Sequence, residues 1–300
     1  MYYVLDMSQL EIGKRMHLSR PHISRLLKRA KEERVVEIKL NYFGERSFHS
    51  EKSLRIEFGL AEAYVYNIKD SSYDECHNTI CRHAAKYVEG NLRAGQSLGI
   101  TRGAILASMI QSFQPKKKLN LRVVQLMGAE PPELRNSAPD LIRKLVTVFG
   151  GSSVYIDAPL YIGNDEARNN LICEPFISRE LQEAKKVDTV ITSIRPVYHG
   201  MKNHIWTGFI DDRELDELIE AGTVGYLLGR AFDINGKLVD HPHNQRIIGL
   251  HPDELQGKWV IGVTYGAEHA PAVLGALRGG FLKVLISDFA CANAVLSLGE

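Results

Sequence analysis

Apolar, β-branched runs alternate with helix-like segments from residue 63 onward. Seven runs are typical of strands: AYVYN (63–67), SLGI (97–100), RVVQLMG (122–128), SVYIDAP (153–159), VDTVITSI (187–194), WVIGVTYG (259–266) and LKVLISD (282–288). Helical spacing occupies 73–93, 102–113, 138–149, 174–185, 211–220, 268–278 and 289–298. Continuous Val/Ile runs indicate strands that are buried on both faces, with helices as the connections between them. The sequence therefore predicts a mostly parallel α/β sheet.

The first 41 residues follow a different pattern, that of two short helices joined by a turn. Ser8 and Glu11 have the spacing of a capping box, which predicts a helix over about 9–16. Ser19 is a good N-cap for a second helix, and Pro21 fits its first turn because no helical hydrogen bond is lost there. The predicted apolar face of this second helix consists of Ile23, Leu26, Leu27 and Ala30.

The opposite face of the second helix is basic. It carries Pro21, His22, Arg25, Lys28 and Arg29. Residues 1–40 contain nine Lys or Arg and five acids, a net charge of +4, which leaves −3 for the other 260 residues. A basic N-terminal segment followed by a slightly acidic remainder is typical of a chain whose N-terminal segment binds a polyanion. The alternative is an ordinary surface helix with a solvated basic face.

Two capped helices with the positive charge on the second predict a helix-turn-helix that binds double-stranded DNA. The predicted DNA-binding residues are Ser19, Arg20, His22, Ser24, Arg25, Lys28 and Arg29. Of these we expect the last three to contact phosphates, and Arg20, His22 and Ser24 to lie nearer the bases. Apolar and charged residues alternate over 36–40, which predicts a strand that forms a wing against the DNA backbone.

A helix-turn-helix usually rests on a preceding helix. Residues 1–6 supply about one turn of such a helix. We therefore expect either that the sequence starts too late or that a partner chain supplies the support.

Several predicted strands end in small or polar turns. These are GITRG (99–103), LMGAE (126–130), APLYIG (158–163), TSIRP (192–196) and TYGAEHA (264–270), and GTVGYLLG (222–229) has the same character. In a parallel sheet such loops meet beyond the carboxyl ends of the strands, where helix N-termini favour negative charge. They predict a polar small-molecule site that can accept an anion. The alternative is that these glycines only form the tight turns of any α/β fold.

The residues do not assemble into a catalytic constellation. The segment 95–99 matches G-x-S-x-G, but it precedes a strand, whereas a nucleophile elbow ends one. The segment Asp240-His241-Pro242-His243 lacks a third metal ligand and is typical of a polar turn. The four cysteines, which we expect to be reduced thiols, are Cys76, Cys81, Cys173 and Cys291. We expect no cofactor and no metal.

The composition is that of a soluble globular chain, with 44% hydrophobic and 24% charged residues. No stretch approaches the roughly 20 apolar residues that span a bilayer. The N-terminal residues lack the pattern of a signal peptide. We therefore expect a cytoplasmic protein that does not contact membranes.

The chain resembles the SorC family of bacterial sugar-responsive transcriptional regulators over nearly its whole length. The N-terminal signature is YYVLDMSQLEIGKRMHLSRPHISRLLKRAKEERVVEIKL. Two C-terminal signatures are more specific, GTVGYLLGRAFDINGKLVDHPHNQRIIGL and WVIGVTYGAEHAPAVLGALRGGFLKVLISD. Weaker similarities are LGITRGAIL, VVQLMGA and YIDAPLYI.

This resemblance implies a helix-turn-helix followed by a Rossmann-like effector domain, similar in fold to sugar-phosphate isomerases. The implied domains are a DNA-binding domain over 1–41 with an incomplete first helix, a connector over 42–60 and an effector-binding domain over 61–300. Family effectors are sugars, polyols or sugar phosphates, and the usual assembly is a homodimer or homotetramer on a palindromic operator. The implied effector residues are Thr101, Arg102, Gly128, Pro159, Ser193, Gly225, Tyr226, Leu228, Gly266 and His269. The alternative is an isomerase- or deaminase-like enzyme with an accessory helix-turn-helix.

The chain departs from the family pattern at three positions. Tyr226 stands where the family often has Asp, so a phenol replaces a carboxylate that could bind sugar hydroxyls. His269 stands where it often has Lys, so an imidazole replaces a fixed positive charge. Phe289 stands where it tends to have an acid. Arg102 is a candidate to compensate, because a guanidinium can hold phosphate through two hydrogen bonds.

Overall fold

The chain divides into two units, Met1–Phe43 and Gly44–Glu300, each of which is described by itself. The computed structural model describes residues 1–2, 7–33, 35, 45–68, 72–129, 137–197 and 209–299. The wing strand predicted over 36–40 lies outside the described residues.

The first unit contains α1 (Gln9–Met16) and α2 (Arg20–Glu32). The predicted capping box is confirmed, because Ser8 N donates to Glu11 Oε2 at 2.8 Å and Glu11 N donates to Ser8 Oγ at 3.2 Å. Gly13 lies where the chain turns back against α1. A Cβ at this position would lie 2.7 Å from Leu18 O, so a larger residue would push the turn away from the helix.

Among its described residues, the second unit contains two sheets. In chain order the strands are β1 (Glu45–Arg46), β2 (Glu62–Asn67), β3 (Ser97–Ile100), β4 (Leu121–Gln125), β5 (Gly151–Val154), β6 (Thr189–Ser193), β7 (Arg195–Pro196), β8 (Gly225–Leu227), β9 (Arg230–Phe232), β10 (Trp259–Val263) and β11 (Val284–Asp288). The large sheet has the order β1-β2-β11-β10-β6-β3-β4-β5, and only β1 pairs antiparallel with its neighbour. The small sheet, β7-β8-β9, is antiparallel. The predicted mostly parallel α/β fold is confirmed.

Helices cover this sheet and connect its strands. They are α3 (Phe48–Phe58), α4 (Tyr73–Asn91), α5 (Ala104–Gln111), α6 (Ala138–Phe149), α7 (Asp165–Cys173), α8 (Pro175–Lys185), α9 (Asp212–Glu220), α10 (Pro242–Gln245), α11 (Ala270–Arg278) and α12 (Phe289–Gly299). The segment treated above as a connector contributes β1 and α3 to this unit. Its Glu51, which is 5% exposed, accepts hydrogen bonds from Arg46 and from Val65 N.

The strands of the large sheet are buried on both faces. Along β6, Val190 packs into one apolar layer and Ile191 into the other. Val260 and Ile261 of β10 divide in the same way, because successive side chains of a strand point to opposite faces. The register sets Val260 beside Val190 and Ile261 beside Ile191. This double burial accounts for the continuous apolar runs in the sequence.

Three features of the second unit differ from the prediction. The strand predicted over 153–159 ends at Val154, and Pro159 forms only an isolated bridge with Ala129. The small sheet was not predicted, because strands of two or three residues carry too little periodicity to be recognised. The nine-residue helix α7 was not predicted either. Within the described ranges, no helix has both the length and the apolar character needed to cross a bilayer.

Candidate DNA-binding and effector sites

All seven predicted DNA-binding residues are exposed on the first unit. Ser19 stands immediately before α2, and its Oγ accepts a hydrogen bond from His22 N at 3.4 Å. Arg29 forms an ion pair with Glu33, in which Nε and Oε1 are 2.7 Å apart and the two side chains are 72% and 52% exposed. Because such an exposed pair is worth at most about 1 kcal/mol, Arg29 can exchange Glu33 for a phosphate at little cost.

The apolar face of α2 is narrower than predicted. Ile23 is buried, and Leu27 and Ala30 are half-buried. Leu26 is 43% exposed, so its predicted place in this face is wrong. At 100° per residue Leu26 lies at the edge of the stripe that the other three residues form.

A switch in strand order lies between β3 and β6 of the large sheet. From β3 the chain continues outward to β4 and β5, and from β6 it continues the other way to β10 and β11. In open α/β sheets, ligands bind outside the carboxyl ends of the strands at such a point. An effector site is therefore expected at the loops that follow β3 and β6.

A cavity of about 150 Å³ lies at this point. Its polar lining includes Tyr73, His77, Ser193, Arg195, Thr264, Tyr265 and His269. We name it the switch-point cavity. Of the predicted effector residues, the structure brings Ser193 and His269 together in this lining.

The loop after β3 packs directly against the end of β6. Thr101 and Thr192 have hydroxyls 3.2 Å apart, and Ser193 Oγ donates to Arg102 O at 3.1 Å. Gly103 also lines the cavity, with a φ of +147°. A Cβ here would lie 2.7 Å from Ser193 Oγ, so glycine is needed both for the backbone angle and for the close approach.

Arg195 places a fixed positive charge in the lining of the switch-point cavity. Within the described part of the chain, no acceptor lies within hydrogen-bonding distance of the Arg195 guanidinium, and no carboxylate lies within 4 Å of it. Burial lowers the pKa of Arg195, and the nearby positive charge of Arg102 lowers it further. Burial also lowers the pKa of His269, although Glu268 Oε1, 3.5 Å from its Nδ1, opposes this shift. A negatively charged ligand group would therefore relieve an uncompensated charge.

Hydroxyl and imidazole groups complete the lining. Tyr265 OH lies 3.1 Å from His77 Nδ1. Thr264 is 1% exposed, and its Oγ1 has no hydrogen-bond partner among the described residues. The predicted Gly266 follows these residues, and its N–H donates to Asp288 Oδ1 at 2.9 Å, which fixes the start of the loop. Polar atoms suited to ligand hydroxyls thus surround the Arg195 side chain.

Gly128 and Pro159 do not line the switch-point cavity. A Cβ on Gly128 would be 2.5 Å from Pro159 O, which shows how closely these two loops approach. Pro159 lines an open hollow of about 710 Å³ together with Gln125 and Asp157. Gln125 is 1% exposed, and its Oε1 has no partner among the described residues.

Gly225, Tyr226 and Leu228 belong to the small sheet and its turn, and they line neither the cavity nor the hollow. A Cβ on Gly225 would lie 2.8 Å from both Ala272 Cβ and Arg195 O. Tyr226 is 5% exposed within an apolar cluster, and Leu228 is 3% exposed in the main core. Their burial makes them part of the support of the site.

Sequence reasoning missed several residues of the lining. Gly103, Arg195, Thr264 and Tyr265 stand in three of the quoted strand-end turns, so a search of those turns for basic and hydroxyl side chains would have found the last three. His77 carries no such signal. It lies within α4 and reaches the cavity only because that helix packs beside β10.

The segments that resemble catalytic motifs have structural roles. Ser97 begins β3 and donates to Asp188 Oδ2 at 2.6 Å, at the end of the strand opposite to the cavity. His241 Nδ1 accepts from His243 N and caps α10, while His243 is fully buried. Across the described ranges, no three potential ligands come together as a metal site.

Comparison with known proteins agrees with this architecture. The sequence model of the family described as "Putative sugar-binding domain" matches residues 44–297. The sorbitol operon regulator of Klebsiella pneumoniae is 27% identical over 302 residues, which cover 99% of this chain and 95% of that protein. The deoxyribonucleoside regulator of Bacillus subtilis (strain 168) is 26% identical, with 99% and 95% coverage.

A solved structure agrees over both units. The crystal structure of the full-length sorbitol operon regulator SorC from Klebsiella pneumoniae superposes with a TM-score of 0.86 at 26% sequence identity, and covers 98% of this chain and 95% of that one. The relatives named here are transcriptional regulators and not enzymes. The chain therefore belongs to the SorC family of sugar-responsive, DNA-binding transcriptional regulators, and its second unit is a sugar-binding domain.

Proposed function

We propose that the effector of this regulator is a sugar phosphate that binds in the switch-point cavity. The observation that carries the proposal is Arg195, a half-buried guanidinium without a carboxylate partner among the described residues. Burial of a cation is costly unless an anion compensates it. A phosphate matches the guanidinium geometry through two parallel hydrogen bonds.

The N-terminus of α5 supports an anion at the same place. Its N-cap residue, Gly103, has no side chain that could cap the helix. Both Gly103 and Ala104 line the cavity. Amide groups at a helix N-terminus favour a negatively charged ligand. We assign the phosphate to Arg195 and this helix end, with Thr101 and Arg102 shaping the loop.

The sugar hydroxyls are assigned to the polar groups around Arg195. Ser193, Thr264 and His269 line the cavity and offer donors and acceptors. Its volume of about 150 Å³ is smaller than the 300–1,000 Å³ typical of ligand pockets, which favours a short-chain ligand. Gly128 and Pro159 border the neighbouring hollow, and we keep them as support of the site.

We further propose that the protein acts in the cytoplasm as a homodimer or homotetramer on a palindromic operator. The basic set on α2 would read one half-site in each copy. An effector can change operator affinity only if it binds two arrangements of the oligomer with different affinity.

A thermal-shift screen tests the effector class. Sugars, polyols and their phosphates are added to the full chain, to Arg195→Gln and to the exposed control Arg213→Gln. We expect a phosphorylated ligand to stabilise the wild-type chain and the control, by about 2.7 kcal/mol at a hundred times its dissociation constant. Arg195→Gln should lose at least tenfold in affinity. Stabilisation by unphosphorylated sugars alone, or equal stabilisation of Arg195→Gln, would contradict the proposal.

A further inference from the structure

A second polar pocket, about 300 Å³ in volume, lies between α7, β9 and α10. Its lining includes Arg168, Asn169, Arg230 and His251, and it shares no lining residue with the switch-point cavity. We name it the two-arginine pocket.

Both arginines of this pocket converge on one backbone oxygen. Arg230 is 3% exposed, and it donates from Nη2 to Ile247 O at 3.3 Å and from Nη1 to Leu250 O at 3.0 Å. Arg168 donates to Ile247 O from Nε at 3.3 Å and from Nη2 at 3.0 Å. Three N–H donors therefore point at one carbonyl oxygen that has two lone pairs.

The two guanidinium groups of the pocket form no direct ion pair with the described residues. Among the described residues, neither Arg168 nor Arg230 has a carboxylate within 4 Å. Asp165 also lines the pocket, but it pairs with Arg246 at 3.0 Å. Neither guanidinium therefore forms a direct ion pair with a described residue, and the carboxylates of Asp165 and Glu254 act on Arg168 and Arg230 only from a longer distance.

The pKa shifts of the pocket reflect the burial of its cationic groups. Burial lowers the pKa of Arg230 to about 10, and Arg168 contributes in the same direction. Burial lowers the pKa of Arg168 as well. The pKa of His251 is lowered by burial and then by Arg230. Burial is the main cause of each shift. Nearby carboxylates oppose it without offsetting it: Asp165 acts on Arg168, Glu254 on Arg230, and Asp253 and Glu254 on His251.

We propose that the two-arginine pocket binds a phosphate-type anion between Arg168 and Arg230. A dianion matches two guanidinium groups that lack a direct ion pair among the described residues, and guanidinium groups have five N–H donors, of which the carbonyl bonds use only part. Asn169 contributes an amide beside them, because its Oδ1 accepts from Arg168 Nη1 at 3.1 Å and its NH₂ group is a further donor. The ligand is either free phosphate or the phosphate group of a small metabolite.

Such an anion would fasten α7 and β9 to the segment that contains Ile247. The next residue, Ile248, accepts a hydrogen bond from Gly128 N at 2.9 Å. The two-arginine pocket therefore shares a backbone segment with one of the predicted effector loops.

Phosphate binding to the full chain tests the proposal. Inorganic phosphate is titrated by calorimetry at constant ionic strength, with chloride as the reference anion. All variants carry Arg195→Gln to remove the phosphate site proposed for the switch-point cavity. We expect this background to bind phosphate and Arg168→Gln within it to bind at least tenfold more weakly. The exposed control Arg213→Gln should have no effect.

A second variant separates binding from folding. Asn169 is exposed, so Asn169→Asp should leave the fold intact and weaken phosphate binding at least tenfold, because it adds a carboxylate beside Arg168. Glycerol 3-phosphate in the same background distinguishes the two sources: tighter binding than phosphate indicates a metabolite, and equal binding indicates free phosphate. Absence of phosphate binding in the Arg195→Gln background, or binding that neither Arg168→Gln nor Asn169→Asp weakens, would overturn the proposal.

Discussion

Replacement of Gly103 by alanine tests the close approach of the β3 and β6 loops. Gly103 has φ +147° and ψ +154°, a region that residues with a Cβ rarely occupy, at a cost of about 1–3 kcal/mol. The new Cβ would also lie 2.7 Å from Ser193 Oγ, which must then leave Arg102 O. Loss of that hydrogen bond adds about 1 kcal/mol. Gly103→Ala should therefore lower the free energy of unfolding by about 2–4 kcal/mol.

A double-mutant cycle separates the two contributions. Ser193→Ala removes the Oγ and leaves Ser193 Cβ at 3.5 Å from the new methyl group, an ordinary contact. In the Ser193→Ala background, Gly103→Ala should cost only the backbone strain, so the coupling energy should be about 1 kcal/mol. The free energies come from urea unfolding of the second unit, followed by circular dichroism.

Gly90 provides the matched control. It lies within α4 with open space around its Cβ position, so Gly90→Ala should be neutral or stabilising by up to about 1 kcal/mol. Equal costs of Gly103→Ala in both backgrounds would refute the steric argument. A cost below about 0.5 kcal/mol would refute the strain argument as well.

Two further predictions concern DNA binding and pH. Arg25→Ala and Lys28→Ala should each weaken operator binding and reduce the slope of log K against log salt by about 1. Fluorescence anisotropy measures both quantities, with Lys237→Ala as the control. Unchanged operator affinity in both variants would disprove the DNA-binding assignment of α2. Burial, followed by Arg82 and Lys86, lowers the pKa of His83 from 6.5 to about 4, so between these values the unfolded chain binds the proton and the folded chain does not. The free energy of unfolding, measured by urea titration, should therefore fall as the pH drops from 6.5 to 4. His83→Gln should reduce this pH dependence, whereas replacement of the exposed His49 by Gln should not. If the pH dependence is unchanged in His83→Gln, groups other than His83 cause it.

The sequence was sufficient to predict the large sheet because its strands are buried on both faces. Runs such as 187–194 must be apolar at successive positions, and that signal does not depend on distant contacts. The meeting of Ser193 and His269 could also be anticipated, since Ser193 ends β6, His269 comes after β10, and parallel strands end at one edge. These parts of the site follow from topology alone.

The remaining parts depend on packing that periodicity does not encode. Arg168 and Arg230 are 62 positions apart and meet only because both contact Ile247 O. Arg195 stands in a two-residue strand of the small sheet, which is too short to be recognised as a strand. Its importance rests on the absence of a nearby carboxylate among the described residues, which requires coordinates.

The two positions at which we expect a departure from the family pattern, Tyr226 and His269, lie in different surroundings. Tyr226 packs at 5% exposure with Met127, Leu160 and Leu215, so an aspartate there would need new partners in an apolar cluster. His269 lines the cavity, but burial lowers its pKa and favours the neutral imidazole. A fixed positive charge in the cavity lining must then come from Arg195, because guanidinium stays charged where imidazole does not. For the proposed sugar phosphate, we therefore expect recognition of the anionic group to depend on Arg195 after β6 more than on position 269.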